Sequence, residues 1–442
     1  MFGLFGSSPP LAPFEKAWTE YRMNWFASHF GASRLLETPT LPPDYSGIPT
    51  VSNFDQAQDL LKFLQTWMKI ESCSLKLQLY SNVVSPDSIK GPDDSKSSTV
   101  VEIQEDDFAH RDTLVAAMAR GLAKAAIEEH GLAEQLVGDN NWTTELLPAY
   151  LGLGAFSANA TVEDSSFSNG SYSEWNMSRR GVLPSRIFGY AMALRTFVKG
   201  DDDYPWSVHL RQDAAVAFDK GMKYLKKTGD TTFDRDRLEQ PPETNTLISD
   251  LENGSAARQI NALWDLSQRV EAKALRPDND LGELVLSRLH HRETDVRASA
   301  IRVLPNFVRN EPALLEVCEA LGDHKPDVRA EAARIAGLFT GIDDESMVES
   351  LMTALADDSR LVAFNAANSL RQFGEAAQPA IKGIIKRIHR SFVDCNDDDG
   401  LQFASALLAI DPDARKQFEN VEEEFRRYVN EVFDQLENQN SH

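Results

Sequence analysis

The sequence predicts a mainly helical protein in two parts, an α+β first half followed by an α-solenoid. Three observations carry this reading. The first 228 residues are mixed and aromatic-rich, with Trp18, Trp25, Trp67, Trp142, Trp175 and Trp206 among them. From about residue 245 the chain becomes alanine- and leucine-rich with helical periodicity. That second stretch also repeats itself, which is the mark of stacked helix pairs.

Taken in order, residues 1–12 read as a mobile tail. Met1 to Gly6 is apolar but short, lacks a basic segment and runs into Ser7-Ser8-Pro9-Pro10, so it does not read as a signal peptide. Pro13 to Gly31 has a helical pattern through Trp18, Tyr21, Trp25 and Phe26, with Gly31 as its C-cap. Phe54 to Met68 is a second helix. Ser74 to Tyr80 alternates with period two, as a half-buried strand does, and Ser98 to Ile103 is a second short strand. Asp112 to His130 is a long apolar helix. Glu145 to Phe156 and Ile187 to Val198 are further helices, and Ser165 to Tyr172 reads as a mobile loop. Gly152-Leu153-Gly154 falls inside an apolar helical run, where glycine serves close packing. The first domain spans 13–228. Residues 229–244, with Gly229 and Pro241-Pro242, read as a linker.

In the second half, five stretches align on residues 258, 297, 329, 363 and 402. The best are Val296-Arg297-Ala298-Ser299-Ala300-Ile301 and Val328-Arg329-Ala330-Glu331-Ala332-Ala333. Each later copy follows a leucine-rich helix and a short polar turn such as Asp323-His324-Lys325-Pro326. The unit is helix, turn, helix, with alanines where the second helix packs closely. It resembles the HEAT repeat in its short bacterial form, over roughly 245–412. The charged helix Phe418 to Leu436 suits a terminal cap, and the solenoid spans 245–436. Asp295 and Asp327 read as helix-start caps, each followed by an arginine that pairs with the next repeat's aspartate.

Composition narrows the function. The 442 residues carry a net charge of −23, which repels phosphate backbones and anionic lipid. Cys73, Cys318 and Cys395 are too scattered for a disulfide framework or a cysteine zinc site. No run approaches the roughly 20 apolar residues of a spanning helix. The cytoplasm is the expected location.

The first half carries a second resemblance. Its landmarks are Trp18 to Trp25 with Phe30-Gly31, Leu41 to Tyr45, Glu145 to Ala160, and Trp175 to Leu183 leading into Phe188 to Leu194. Together they resemble an uncharacterised bacterial group of zinc-metallopeptidase-like (zincin-like) proteins, over roughly 14–228. In that group the long helix resembles His-Glu-x-x-His, whose two histidines bind Zn²⁺ and whose glutamate is the general base. Here the first histidine position is Arg120, the glutamate position Gly121 and the second histidine position Lys124. A downstream carboxylate of the group matches Glu145. Arginine offers no lone pair and a charged lysine repels a metal, so no zinc and no cofactor are expected. Two readings of the vestige stand open: Arg120 or Lys124 pairs with Glu145, or these groups face solvent.

No other catalytic constellation stands out. The adjacent His290 and His291 point in different directions on a helix, and His110 and His130 merely flank the long helix. There is no Gly-x-Ser-x-Gly elbow and no phosphate loop. The acidic runs Glu105-Asp106-Asp107, Asp201-Asp202-Asp203 and Asp397-Asp398-Asp399 lack calcium-loop spacing. The expectation is a non-enzymatic interaction protein that binds another protein or peptide with a basic surface, and neither nucleic acid nor membrane. The alternatives are an enzyme with a relocated site near Glu145, His110 or His130, and a regulatory decoy of an active relative.

Overall fold

The computed structural model describes residues 8–70, 75–80, 99–104, 107–108, 110–136, 139–168, 173–179, 181–235, 238 and 240–439. Seven of the twelve tail residues, residues 169–172 of the expected loop and Cys73 lie outside these. The chain divides into two compact units, Met1–Pro242 and Glu243–His442.

The first unit runs α1 (Pro13–Phe30), α2 (Ala32–Glu37), α3 (Phe54–Trp67), β1 (Leu75–Tyr80), β2 (Thr99–Gln104), α4 (Arg111–Glu129), α5 (Asn140–Tyr150), α6 (Gly154–Asn159), β3 (Val162–Ser168), β4 (Ser173–Arg179), α7 (Ser185–Lys199) and α8 (Gln212–Thr228). Strands β1 and β2 pair in parallel, with Leu75 opposite Thr99. Strands β3 and β4 form an antiparallel hairpin, with Val162 opposite Arg179. Two expectations are corrected here. Residues 165–168 belong to a strand, not a loop. The run from Glu145 to Phe156 is two helices, because Gly152 takes φ +91° and ends the first, a conformation open to glycine. Gly154 does serve close packing: a Cβ there would lie 2.8 Å from Met192 Cγ.

Helix α7 is the hub, buried along almost its whole length. Gly189 lets α8 approach so closely that a Cβ would sit 2.3 Å from the Ala214 carbonyl oxygen. The core around it contains charges. Lys16 and Glu20 on α1 are almost fully buried and pair at 2.9 Å. Tyr190 donates to Glu20 at 2.6 Å, and the Thr232 amide donates to the other carboxylate oxygen at 3.0 Å. Burial pushes the Tyr190 hydroxyl well above its ordinary pKa, and the Glu20 carboxylate adds to the effect. Phe233 is fully buried. The stretch 230–233, expected within a linker, is thus tied to α1 by hydrogen bonds and an ion pair. Leu11, expected in the tail, is buried as well.

The second unit stacks five helix pairs and a cap: α9 (Thr244–Asn253) with α10 (Ala256–Glu271), α11 (Asn279–Ser287) with α12 (Thr294–Phe307), α13 (Glu311–Ala320) with α14 (Pro326–Ile335), α15 (Asp344–Leu355) with α16 (Arg360–Leu370), α17 (Ile381–Val393) with α18 (Asp397–Ile410), then α19 (Glu423–Gln439). First helices α11, α13 and α15 are capped by the side chains of Asp278, Asn310 and Asp343 on the backbone amides of Leu281, Ala313 and Ser346. This satisfies N–H groups that a helix start leaves open. Second helices α10, α12, α14, α16 and α18 pack tightly side by side, whereas neighbouring first helices touch sparsely. The reason is side-chain size: Ala300, Ala332, Ala333 and Ala366 sit at the contacts, fully buried. The second helices therefore form the closer-packed, inner layer of the stack. One hydrophobic core runs unbroken from Leu247 to Phe433, as expected where no single repeat can bury its own apolar face. Among the described residues no helix is long and apolar enough to cross a membrane.

Candidate functional site

The vestigial metal positions come first. Helix α4 carries Arg120, Gly121 and Lys124, and α5 carries Glu145. Arg120 and Glu145 line the same pocket, with Ser157, Thr161 and Phe188, of about 10 Å³, room for about one water. No ion pair joins them among the described residues. The Glu145 carboxylate is mostly buried and accepts the amide hydrogens of Val182 at 3.0 Å and Leu183 at 2.9 Å. It therefore pins the chain entering α7. The adjoining Gly181 has φ +91°, and a Cβ there would lie 2.9 Å from Glu145 Oε1.

Lys124 is turned away. Its side chain is 58% exposed and approaches Glu128 at 3.9 Å, one turn along the same helix. Of the two open readings, pairing with Glu145 is thus absent for Lys124 and for Arg120. Gly121 faces the sheet: a Cβ there would come within 2.7 Å of Val101 Cγ1. That position is steric, filled by strand β2, with no space for a carboxylate. His110 and His130 are apart from this pocket. His110 precedes α4 without a side-chain cap, and His130 Nδ1 lies 2.8 Å from the Ala126 carbonyl oxygen. Among the described residues no three His, Cys, Asp or Glu side chains gather as a metal site.

The solenoid's charged side chains follow a repeating plan. Arg297 donates Nε and Nη2 to Asp323 at 2.9 and 3.1 Å, and Nη1 to the His291 carbonyl at 2.9 Å. One repeat on, Arg329 does the same to Asp357 at 2.6 and 2.9 Å, and to the Asp323 carbonyl at 2.8 Å. Each arginine thus clamps its own turn and the turn of the next repeat. Such forked charge-assisted bonds fix geometry as well as energy. Burial alone would raise the Asp323 carboxyl, but the Arg297 hydrogen bond and the Lys325 amide outweigh it and hold it below the ordinary carboxylate value. The Arg329 hydrogen bond likewise holds Asp357 low.

This corrects the sequence reading in detail. The partners of the arginines are the turn aspartates Asp323 and Asp357, and Asp295 and Asp327 lie inside the first turns of α12 and α14 while Glu293 and Lys325 hold the N-cap positions. The sequence does hold the missed signal. Arg297 to Asp323 and Arg329 to Asp357 span 26 and 28 positions, and each aspartate lies six residues before the next aligned anchor. The clamp also has ends. In the second turn His291 occupies the aspartate position, and Arg258 pairs instead with Asp250 of its own repeat at 3.2 Å. In the fourth repeat Ala363 replaces the arginine, and Arg360 reaches Asp399 of the fifth.

On the inner layer, further polar contacts bridge neighbouring helices. Asn306 donates to Ser267 and Glu271 at 2.8 and 2.6 Å, Arg302 to Glu331, and Asn365 to the Ala330 carbonyl at 2.9 Å. At the edge where the second helices start, Asp327, Asp358, Asp397 and Asp398 are exposed.

No curated protein matches the chain. A family model of HEAT repeats matches residues 282–371 and again 312–391. These windows run from α11 into α17 and contain the arginine clamps, so the second unit carries HEAT repeats across the middle of its helical stack.

Proposed function

We propose that this protein is a non-enzymatic interaction scaffold, whose solenoid holds another protein or peptide. In this reading the first unit is a metallopeptidase-like domain without metal chemistry, since Gly121 is filled by Val101 and Glu145 is spent on two backbone amides. One observation carries the proposal. Stacked helix pairs share one core and are clamped at their turns, which makes an extended, rigid surface of the kind helical repeats use for binding. HEAT repeats commonly mediate protein–protein interaction. A net charge of −23 favours a partner with a basic surface over nucleic acid or anionic lipid. Such a partner fits the edge that exposes Asp327, Asp358, Asp397 and Asp398.

The test is affinity capture with the full tagged chain and a D327N/D358N/D397N/D398N variant in parallel. The expected result is a basic protein retained by the first and lost from the second. Identical captured sets would contradict the basic-edge reading. Turnover of any captured peptide would contradict the scaffold itself.

A further inference from the structure

The outer helices of the solenoid differ sharply in charge. Helix α9 carries Asp250 and Glu252 and no cation. Helix α11 carries Asp280 and Glu283 and no cation. Helices α13 and α15 carry three carboxylates each and no cation. Helix α17 reverses the pattern, with Lys382, Lys386, Arg387 and Arg390 and no carboxylate.

Helix geometry sorts these cations. At 100° per residue, Lys382, Lys386, His389 and Val393 fall within an arc of about 60° and extend over about 17 Å. The first three are exposed, and Val393 is 62% exposed, while Ile384 and Ile388 on the other side enter the core. Arg387 is turned inward and donates to the carbonyls of Leu355 and Asp357. Arg390 flanks the stripe, 3.5 Å from Asp394. Among the described residues neither Lys382 nor Lys386 has an ion-pair partner. At the far end, next to Val393, Phe392 packs on Phe425 and Tyr428 with ring centroids 5.4 and 5.3 Å apart.

We propose that this face of α17 docks a short acidic segment of a partner protein, with carboxylates spaced one helical turn apart and an apolar side chain set against Val393. Width selects the partner class. Helix α15, packed against α17, exposes Glu345 and Glu349 and carries no cation. A nucleic-acid duplex or a lipid surface covers both helices and meets those carboxylates. A segment one helix wide, about 10 Å, meets α17 alone. The assignment goes beyond the scaffold reading, because it gives the outer layer a partner opposite in charge to the one the whole chain favours.

The test is fluorescence anisotropy with a fluorescein-labelled peptide of ten glutamates, titrated with the full chain at low ionic strength. Saturable binding is expected, weakened about tenfold in K382Q/K386Q/R390Q and by added salt. Glutamine keeps helix propensity, and circular dichroism confirms that the variant is folded. A K69Q/K226Q/K416Q control, with the same change in net charge, should bind like the parent. No saturable binding, equal loss in the control, or tighter binding of a DNA duplex or of phosphatidylserine vesicles would overturn the assignment. Either outcome leaves the capture experiment on the acidic edge standing, so the two readings fail separately.

Discussion

The two units place their charges differently. In the first, charged groups lie deep and each is used once: Lys16 with Glu20, Glu145 under the entry to α7, and Arg195, fully buried, donating to Thr40 Oγ1 at 2.7 Å and to the Thr38 carbonyl. In the second, the clamps sit at the turns and recur, as Arg297 with Asp323 and Arg329 with Asp357. A buried, single-use charge is costly to break and has no spare copy. A repeated clamp is cheaper to break, because each repeat answers mainly to its neighbours.

The largest expected effect follows from that contrast. Glu20→Ala leaves buried Lys16 with Asp230, at 3.5 Å, as its one ion-pair partner among the described residues, and costs the first unit about 3–5 kcal/mol. Calorimetry should show one transition falling while that of the second unit stays. A single shared shift would mean that the units do not melt separately.

Next in size is the clamp. Arg329→Met removes a forked bond from Asp357 and costs about 1.5–3 kcal/mol, seen as reduced stability to denaturant with the first unit unaffected. The same pair responds to pH. Because Asp323 and Asp357 are held low in the fold, their contribution is present above the ordinary carboxylate value of about 4. It is lost as pH falls below that through the folded values. In Arg329→Met the acid loss should be smaller than in the parent, and equal acid sensitivity would count against the clamp.

Gly121→Ala comes third. The new methyl meets Val101 and forces a shift of β2 or α4, at about 1–3 kcal/mol, read from the melting temperature of the first unit. An unchanged value would mean that the position is roomy, and would reopen it as a lost catalytic site. Smallest is Lys124→Gln, at an exposed position whose nearest carboxylate is 3.9 Å away. It should change stability by less than about 0.5 kcal/mol and should not create zinc binding, as checked by elemental mass spectrometry. Stoichiometric zinc in the variant would revive the metal-site geometry.

What could be read in advance divides along the same line. The repeat of 32 to 39 residues and the buried alanines are legible because one steric requirement recurs in every repeat. That each arginine reaches the next repeat's aspartate is legible, but which aspartate is not, because a lone sequence does not reveal helix phase and Asp323 and Asp327 lie only four residues apart. In the first unit α1, α3, α4, α7 and both strands of the parallel pair follow from periodicity. The break at Gly152 does not, since its neighbours are apolar and helix-compatible on both sides. Glu145 was marked by its place in a motif, yet its partners are backbone amides, which carry no residue signature. The tie of Thr232 to Glu20 spans 212 positions and leaves no local pattern.

The most direct test of the scaffold account is amide hydrogen exchange on the full chain, with and without the protein captured on the acidic edge. The account predicts slowed exchange in the turns and second helices between residues 282 and 412. Protection confined to α4, α5 and the entry to α7 around Glu145 would contradict it, and would make the first unit the working site.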